Sequence, residues 1–161
     1  MTGSEKTGYE NSASSYLKGA YYILTPTKSV PAHYTDWLSG FVKAAGSHCE
    51  ILVCDEHDRI TAAISHAPHI ISASLINTVA ARDLAGEYAK LAAGGLKDIT
   101  RISSSSPEMW QNICLTNTDC IVSFLDEYIK NLEKMKQSVM ECDGDRLTEY
   151  FKQAKSYRDK L

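Results

Sequence analysis

The pattern of apolar residues changes character near Cys54 and Asp55, and this change limits the folds open to the chain. Before it, short apolar runs flank one helical stretch, which predicts a strand, a helix and a second strand. After it, apolar residues recur every three or four positions, which predicts helices as far as the last residues. The sequence therefore predicts a mainly α-helical fold that begins with a short β-α-β segment.

The β-α-β segment is defined by proline and glycine as well as by apolar residues. Residues 20–25 form an apolar, aromatic run closed by Pro26, which predicts a buried strand, and residues 50–54 predict the second strand. Between them, Pro31 suits a helix start and Gly46 a helix end. The apolar face of this helix comprises Trp37, Leu38, Phe41, Val42 and Ala45. Two strands are too few for a stable sheet, so we expect them to pair with another copy or to belong to a larger domain.

Several breaks divide the helical part. Asp55 is the predicted N-cap of a helix whose apolar face runs to Val79, and Pro68 should interrupt and kink it, freeing a carbonyl near two histidines. Helical periodicity then continues to Leu91 and stops at the pair Gly94-Gly95. Ser106 and Pro107 predict the N-cap and first residue of the next helix.

The last two predicted helices are separated by Gly144 and Asp145. The first has apolar residues at alternating spacings of four and three: Ile121, Leu125, Tyr128, Leu132, Met135 and Val139. This heptad pattern predicts either a long bundle helix or a dimer contact. The second helix has its own apolar face: Leu147, Tyr150, Phe151, Ala154, Tyr157 and Leu161.

Composition excludes several classes of protein. The 161 residues are 43% hydrophobic and carry a net charge of -3, which suits a folded domain and makes nucleic acid an unexpected partner. No apolar run approaches the length of about 20 residues that a membrane span needs. The five cysteines form an odd count without a C-x-x-C pair, which favours reduced thiols in a cytoplasmic protein over disulfides or zinc.

Residues 65–69, Ser-His-Ala-Pro-His, are the first candidate for chemistry. His66 and His69 are three residues apart and share one face of a helix. A metal site would need a third ligand, which the surrounding sequence does not offer, so we predict none. Spacing alone favours one structural and one surface histidine. Pro68 favours a site instead, because a proline inside a helix is costly and usually has a reason.

Lys97, Asp98, Arg101 and Trp110 are the second candidate. An arginine can hold a carboxylate through two parallel hydrogen bonds, whereas a lysine cannot. The alternatives are a solvated helix end with a local charge cluster, and a tryptophan that belongs to the core. Together with the two histidines, these residues suit a small anionic ligand. A Gly-x-Gly-x-x-Gly motif is absent from the sequence, and residues 3–8 do not meet the spacing of a phosphate loop.

These segments resemble the prephenate and arogenate dehydrogenase family. The His-Ala-Pro-His and Lys-Asp-Ile-Thr-Arg-Ile segments are specific in combination, and the resemblance covers roughly residues 1 to 120 in family order. The matching stretches are residues 3–8, 22–26, 57–58, 65–69, 95–102 and 106–110, and Asn117.

The resemblance implies two domains. Residues 1–54 would be a remnant of a Rossmann-like nucleotide-binding domain, and residues 55–161 an all-helical substrate-binding and dimerisation domain like the C-terminal domain of 6-phosphogluconate dehydrogenase. NAD or NADP would bind the full-length enzyme and neither would bind this chain alone. The glycine loop, and a His-Pro pair whose histidine is the catalytic base, would lie upstream of Met1, which leaves no catalytic residue in this chain.

The resemblance also implies roles in substrate binding. Arg101 would bind a carboxylate of prephenate and His69 its side chain, with Ser65 and His66 in the layer behind. Ser4 and Glu5 would border the pocket. Lys97 and Asp98 would shape its mouth, in contact with Trp110 of the same or the partner subunit.

The expected activity is that of the full-length family: oxidative decarboxylation of prephenate to 4-hydroxyphenylpyruvate in tyrosine biosynthesis. We expect this chain to be a homodimer that binds prephenate or arogenate and is inactive alone. One alternative is a non-catalytic helical dimer that binds an aromatic acid or a partner protein. Another is a half that is completed by a separately encoded cofactor domain.

Overall fold

The computed structural model describes residues 8–161, which form a mainly helical chain with one small sheet. Two 3-10 turns (Tyr9–Asn11 and Ser14–Tyr16) precede strand β1 (Tyr21–Leu24), helix α1 (Ala32–Ala44) and strand β2 (His48–Ile51). The helices that follow are α2 (Cys54–Thr61), α3 (Ala67–Arg82), α4 (Glu87–Leu91), α5 (Gly94–Thr100), α6 (Pro107–Thr116), α7 (Thr118–Met140) and α8 (Gly144–Arg158). The predicted helical fold with a leading β-α-β segment is confirmed.

Strands β1 and β2 pair in parallel, and α1 provides the crossover that parallel pairing requires. Tyr21 lies opposite His48, and the ladder begins where the His48 amide donates to the Ala20 carbonyl at 2.8 Å. The predicted position of the second strand, residues 50–54, is therefore wrong by a few residues. Pairing with β1 begins at His48, and Cys54 already starts α2.

The β-α-β segment exposes most of its apolar residues. In β1 only Leu24 is buried, while Tyr21 is 60% exposed, so the prediction of a buried strand is wrong. On α1 only Val42 of the predicted apolar face is buried. Trp37 and Phe41 stack on each other with ring centroids 6.1 Å apart and remain exposed. A single helix covers too little of a two-stranded sheet to bury both sides of it.

The helical run from α2 into α3 contains one wide turn. Residues Ala62–His66 are π-helical, and the Ala67 amide donates to the Ala62 carbonyl, five residues back. Pro68 lies in the first turn of α3, directly after this wide turn, so the regular α-helix is interrupted before the proline rather than at it. The predicted kink stays a prediction. Helix α2 begins at Cys54 with Val53 as its cap, two residues before the predicted cap Asp55, which lies in the first turn of the helix.

The predicted helical run to Leu91 is wrong, because α3 ends at Arg82. The Asp83 carboxylate accepts hydrogen bonds from the backbone amides of Tyr88 and Ala89, both at 2.9 Å. These bonds satisfy amides at the start of the short helix α4. Gly94 then begins α5, so the glycine pair lies in the first turn of a helix rather than in a turn before one.

The ends of the later helices follow the sequence closely. The Ser106 hydroxyl accepts a hydrogen bond from the Met109 amide at 3.4 Å, and Pro107 is the first residue of α6, as predicted. Helix α7 runs unbroken through the heptad pattern. The Asp143 side chain caps α8 by accepting from the Arg146 amide at 3.0 Å.

The described residues up to Ile121 form one compact unit, and residues 122–161 form a second. Within the second unit, Leu132 and Val139 of the heptad pattern are exposed in the isolated chain. The choice between a bundle helix and a dimer contact stays a prediction, as does the domain boundary at 54/55. Among residues 8–161, no helix has the length and apolar character to cross a membrane.

Candidate functional site

A cleft of about 350 Å³ lies between α3, the 3-10 turn Arg101–Ser104 and α6. We call it the α3–α6 cleft. Its walls are mostly apolar, with a few polar groups among them, which is typical of a small-molecule site. The lining residues with functional groups or aromatic rings are His69, Asn77, Ser103, Ser105, Trp110 and Cys114.

His69 and Trp110 form the aromatic wall of the cleft. Their ring centroids are 3.8 Å apart with an interplanar angle of 24°. His69 Nδ1 lies 2.8 Å from the Ser65 carbonyl oxygen. Because a carbonyl only accepts hydrogen bonds, Nδ1 carries a proton. Nε2 is then the nitrogen left for a ligand, as an acceptor when the ring is neutral and as a donor when it is charged.

Trp110 brings a second polar group to this wall. Its Nε1 atom is buried, and no hydrogen-bond acceptor for it lies among residues 8–161. Buried donors are normally satisfied, and an unsatisfied one costs free energy. A ligand oxygen would remove that cost, but only if the Trp110 ring shifted to open this N–H to the cleft.

His66 lies behind this wall, in the wide turn before α3. Its ring is edge-on to Trp110, with centroids 6.2 Å apart. Its Nδ1 is 3.2 Å from Asn117 Nδ2, and the same Asn117 nitrogen donates to the Asp58 carbonyl at 2.8 Å. Burial lowers the pKa of His66, as do the nearby His57 and His69, whereas Asp58 acts in the opposite direction. His66 is therefore neutral at pH 7.

Buried Ser72 joins α3 to the segment that carries Arg101. Its hydroxyl donates to the Ile99 carbonyl at 3.0 Å and lies 2.7 Å from the Ser103 hydroxyl. Since Ser72 has one proton to give, the Ser103 hydroxyl is the donor in the second bond. The two partners of Ser72, Ile99 and Ser103, lie on either side of Arg101 in the sequence. The bonds therefore tie the backbone around Arg101 to α3 at Ser72, one helical turn after His69.

The structure brings together four of the residues predicted from the sequence: Ser65, His66, His69 and Trp110. Arg101 is exposed at the start of the 3-10 turn. It is not one of the residues described as lining the cleft, although Ile102, next to it, is.

The other predicted residues lie elsewhere. Lys97 lines a second cavity of about 280 Å³ between α3, α4 and α5. Asp98 is exposed on α5. Ser4 and Glu5 fall outside the described residues, so their proposed place at the pocket border stays a prediction. Within residues 8–161, no group of three or more potential ligands could hold a metal ion.

Sequence reasoning gave no role to two residues of this site. Asn117 closes α6, and an asparagine at a helix end is usually explained by backbone conformation alone. Ser72 is a small polar residue on an otherwise apolar helix face. Its position three residues after His69 was the available signal, but its partners are 27 and 31 residues away in the sequence.

Comparison with known proteins identifies the family. A model of the dimerization domain of prephenate dehydrogenase matches residues 53–153. The chain belongs to this family. Its C-terminal helical part is therefore a prephenate dehydrogenase dimerization domain, and the resemblance inferred from the sequence is confirmed.

Individual relatives of the chain support the same family assignment. The chain is 40% identical to prephenate dehydrogenase from Bacillus subtilis, over 100% of this chain and 44% of the relative. It is 29% identical to cyclohexadienyl dehydrogenase from Zymomonas mobilis, over 98% of this chain and 55% of the relative. A crystal structure of prephenate dehydrogenase from A. aeolicus, in complex with hydroxyphenyl propionate and NAD+, matches with a TM-score of 0.92 at 30% identity. That match covers 98% of this chain and 56% of the other, so the chain spans about half the length of its relatives.

Proposed function

We propose that this chain is the substrate-holding and dimer-forming part of a cytoplasmic prephenate dehydrogenase of tyrosine biosynthesis. The full-length enzyme would convert prephenate to 4-hydroxyphenylpyruvate by oxidative decarboxylation, with NAD or NADP as the hydride acceptor. The observation that carries the proposal is the α3–α6 cleft. It lies inside the region matched by the family model, and the stacked pair of His69 and Trp110 forms one of its walls.

The chemistry of prephenate suits the groups around this cleft. The substrate has two carboxylates, a hydroxyl group and a non-aromatic ring. In this proposal Arg101 holds one carboxylate with its planar guanidinium group, and His69 Nε2 meets the side chain of the substrate. The Trp110 indole covers the ring and directs its unpartnered N–H toward a substrate oxygen. The apolar walls exclude water around these contacts, which strengthens them.

The described residues do not fit the cofactor. The lining residues of the cleft include no lysine or arginine that could pair with a pyrophosphate. The parallel pair β1–β2 is not accompanied by a Gly-x-Gly-x-x-Gly loop anywhere in the sequence. We therefore assign the cofactor and the catalytic base to the remainder of the full-length enzyme, and the roles given to this chain are binding and orientation.

Calorimetric titration of the purified chain with prephenate, and separately with NAD+, tests the proposal. We expect heat of binding for prephenate and none for NAD+, because the substrate groups are present and a cofactor loop is not. Absence of prephenate binding would contradict a substrate half-site and leave a dimerisation module. Binding of NAD+ would overturn the assignment of the cofactor to another part of the enzyme.

We also expect a homodimer formed by the helices after residue 70. The family is named for dimerization, and these helices expose large apolar side chains, among them Leu91 at 78% and Leu115 at 70%. Exposed apolar area of this kind marks an interaction surface. Light scattering should give a mass of twice 17.8 kDa. A monomer at micromolar concentration would contradict this prediction.

In a second candidate function, this chain is one half of an enzyme whose active site is completed by a separately encoded cofactor domain. It is favoured by the apolar residues that the β-α-β segment leaves uncovered, Tyr21, Trp37 and Phe41 among them. The same exposure argues against a stand-alone binding dimer, which would need this segment to be well packed. The titration with NAD+ distinguishes the two if it is repeated in the presence of the candidate domain.

A further inference from the structure

Asn117 links three helical segments through a single amide group. It is 9% exposed, and its backbone is held on both sides: its amide donates to the Ile113 carbonyl, and its carbonyl accepts from the Ile121 amide. Its side-chain nitrogen reaches the Asp58 carbonyl of α2 and the ring of His66. An amide so placed has little freedom to turn.

The Asp58 carbonyl fixes which way the Asn117 amide faces. A carbonyl oxygen only accepts hydrogen bonds, so the atom 2.8 Å from it must be the Asn117 nitrogen rather than its oxygen. The opposite orientation would place two acceptors in contact and leave both unsatisfied. The second N–H of the same nitrogen then faces His66 Nδ1 at 3.2 Å.

This orientation of the amide determines which ring nitrogen of His66 carries the proton. Because Asn117 presents a donor, His66 Nδ1 must be the acceptor, and the proton of the neutral ring lies on Nε2. His69 is set the opposite way, since its Nδ1 faces the Ser65 carbonyl at 2.8 Å and must carry the proton. Two histidines three residues apart are thereby held in opposite tautomers.

We propose that Asn117 is a positioning residue that holds His66 in the Nε2–H tautomer, so that the histidine pair offers one ring donor and one ring acceptor. The tautomer itself is a property of this chain. Only the identity of the ligand, a small acid with both a hydroxyl group and carboxylates, rests on the proposed function. His66, behind the cleft wall, then has its donor at Nε2, and His69, which lines the cleft, has its acceptor at Nε2.

The charges around His66 agree with this assignment. His57 and Asp58 face it from α2, and His69 faces it from α3, while Trp110 and Asn117 on the α6 side are uncharged. Burial and the two histidines lower the pKa of His66, and Asp58 raises it. The Asn117 N–H opposes protonation further, because a second donor on Nδ1 would meet it directly.

The test is NMR of the ring nitrogens of the chain labelled with 15N-histidine, recorded between about pH 5 and 8, a range that brackets the ordinary histidine pKa. We expect His66 to show an unprotonated Nδ1 and a protonated Nε2, and His69 the reverse. Asn117→Asp places an acceptor beside Nδ1. It should raise the pKa of His66 by about one unit or more, a tenfold change in proton affinity. The matched control is Asn112→Asp, the same change at an exposed position of α6.

Two results would overturn the proposal. One is a protonated Nδ1 on neutral His66 in the unaltered chain, which needs no variant to fold. The other is a folded Asn117→Asp protein whose His66 signals and titration match those of the control. The measurement uses no ligand, so a chain with the expected tautomers that fails to bind prephenate would disprove the proposed function and leave this inference intact.

Discussion

Replacing Arg101 with alanine in the full-length enzyme that carries this segment is expected to raise the KM for prephenate by about 100-fold. The reason is the loss of two charge-assisted hydrogen bonds to a carboxylate, each worth about 1.5–3 kcal/mol. Even the lower value, counted for both bonds, corresponds to about two powers of ten in affinity. The backbone around Arg101 should not move, because Ser72 holds residues on either side of it.

Two further variants make this test specific. Arg101→Lys keeps the charge and loses the planar fork, so its KM should lie between those of the unaltered enzyme and the alanine variant. Arg82→Ala removes an exposed arginine at the end of α3 and should leave the KM unchanged. A normal KM for Arg101→Ala in a folded enzyme would refute the role given to this residue.

The sequence predicted which helices and strands this fold contains better than it predicted the residues at which they begin and end. Apolar periodicity located the helices because burial on one face is a local pattern along the chain. The periodicity gave the wrong result at Asp83. Leu84 continues the apolar pattern, but the Asp83 carboxylate caps the next helix by accepting from the Tyr88 amide, five residues further along the chain. Apolar periodicity misplaced β2 for a similar reason. The strand is defined by backbone pairing with β1, and the side chains of residues 48–49, where the strand begins, do not indicate that pairing.

The candidate site shows the same division. The motif around Pro68 and the position of Trp110 could be identified from the sequence, and the structure stacks His69 on Trp110 across 41 residues of chain. The sequence could not show which ring nitrogen of each histidine carries the proton. That property depends on the Ser65 and Asp58 carbonyls and on Asn117, which lies 51 residues from His66. Such contacts become visible only when the helices are packed.

Replacing Trp110 with alanine is the second change with a large expected effect. It removes the ring that stacks on His69 at 3.8 Å and opens a wall of the cleft. We expect a loss of about 2–4 kcal/mol in the free energy of unfolding, somewhat less than the roughly 3–5 kcal/mol for such a change in a core, because Trp110 is only partly buried. Urea denaturation followed by circular dichroism measures this loss, and calorimetry measures the accompanying loss of prephenate binding.

Trp110→Phe separates the two parts of this effect. Phenylalanine retains an aromatic face for His69 but has no N–H, so stability should be nearly kept while affinity for prephenate falls by about tenfold, the value of one hydrogen bond. Trp37→Ala is the matched control, because Trp37 is the other tryptophan of the chain and is 69% exposed. If Trp110→Phe bound prephenate as tightly as the unaltered chain, the indole N–H would have no part in binding. Trp110 would then act on the site only by holding the His69 ring against the cleft wall.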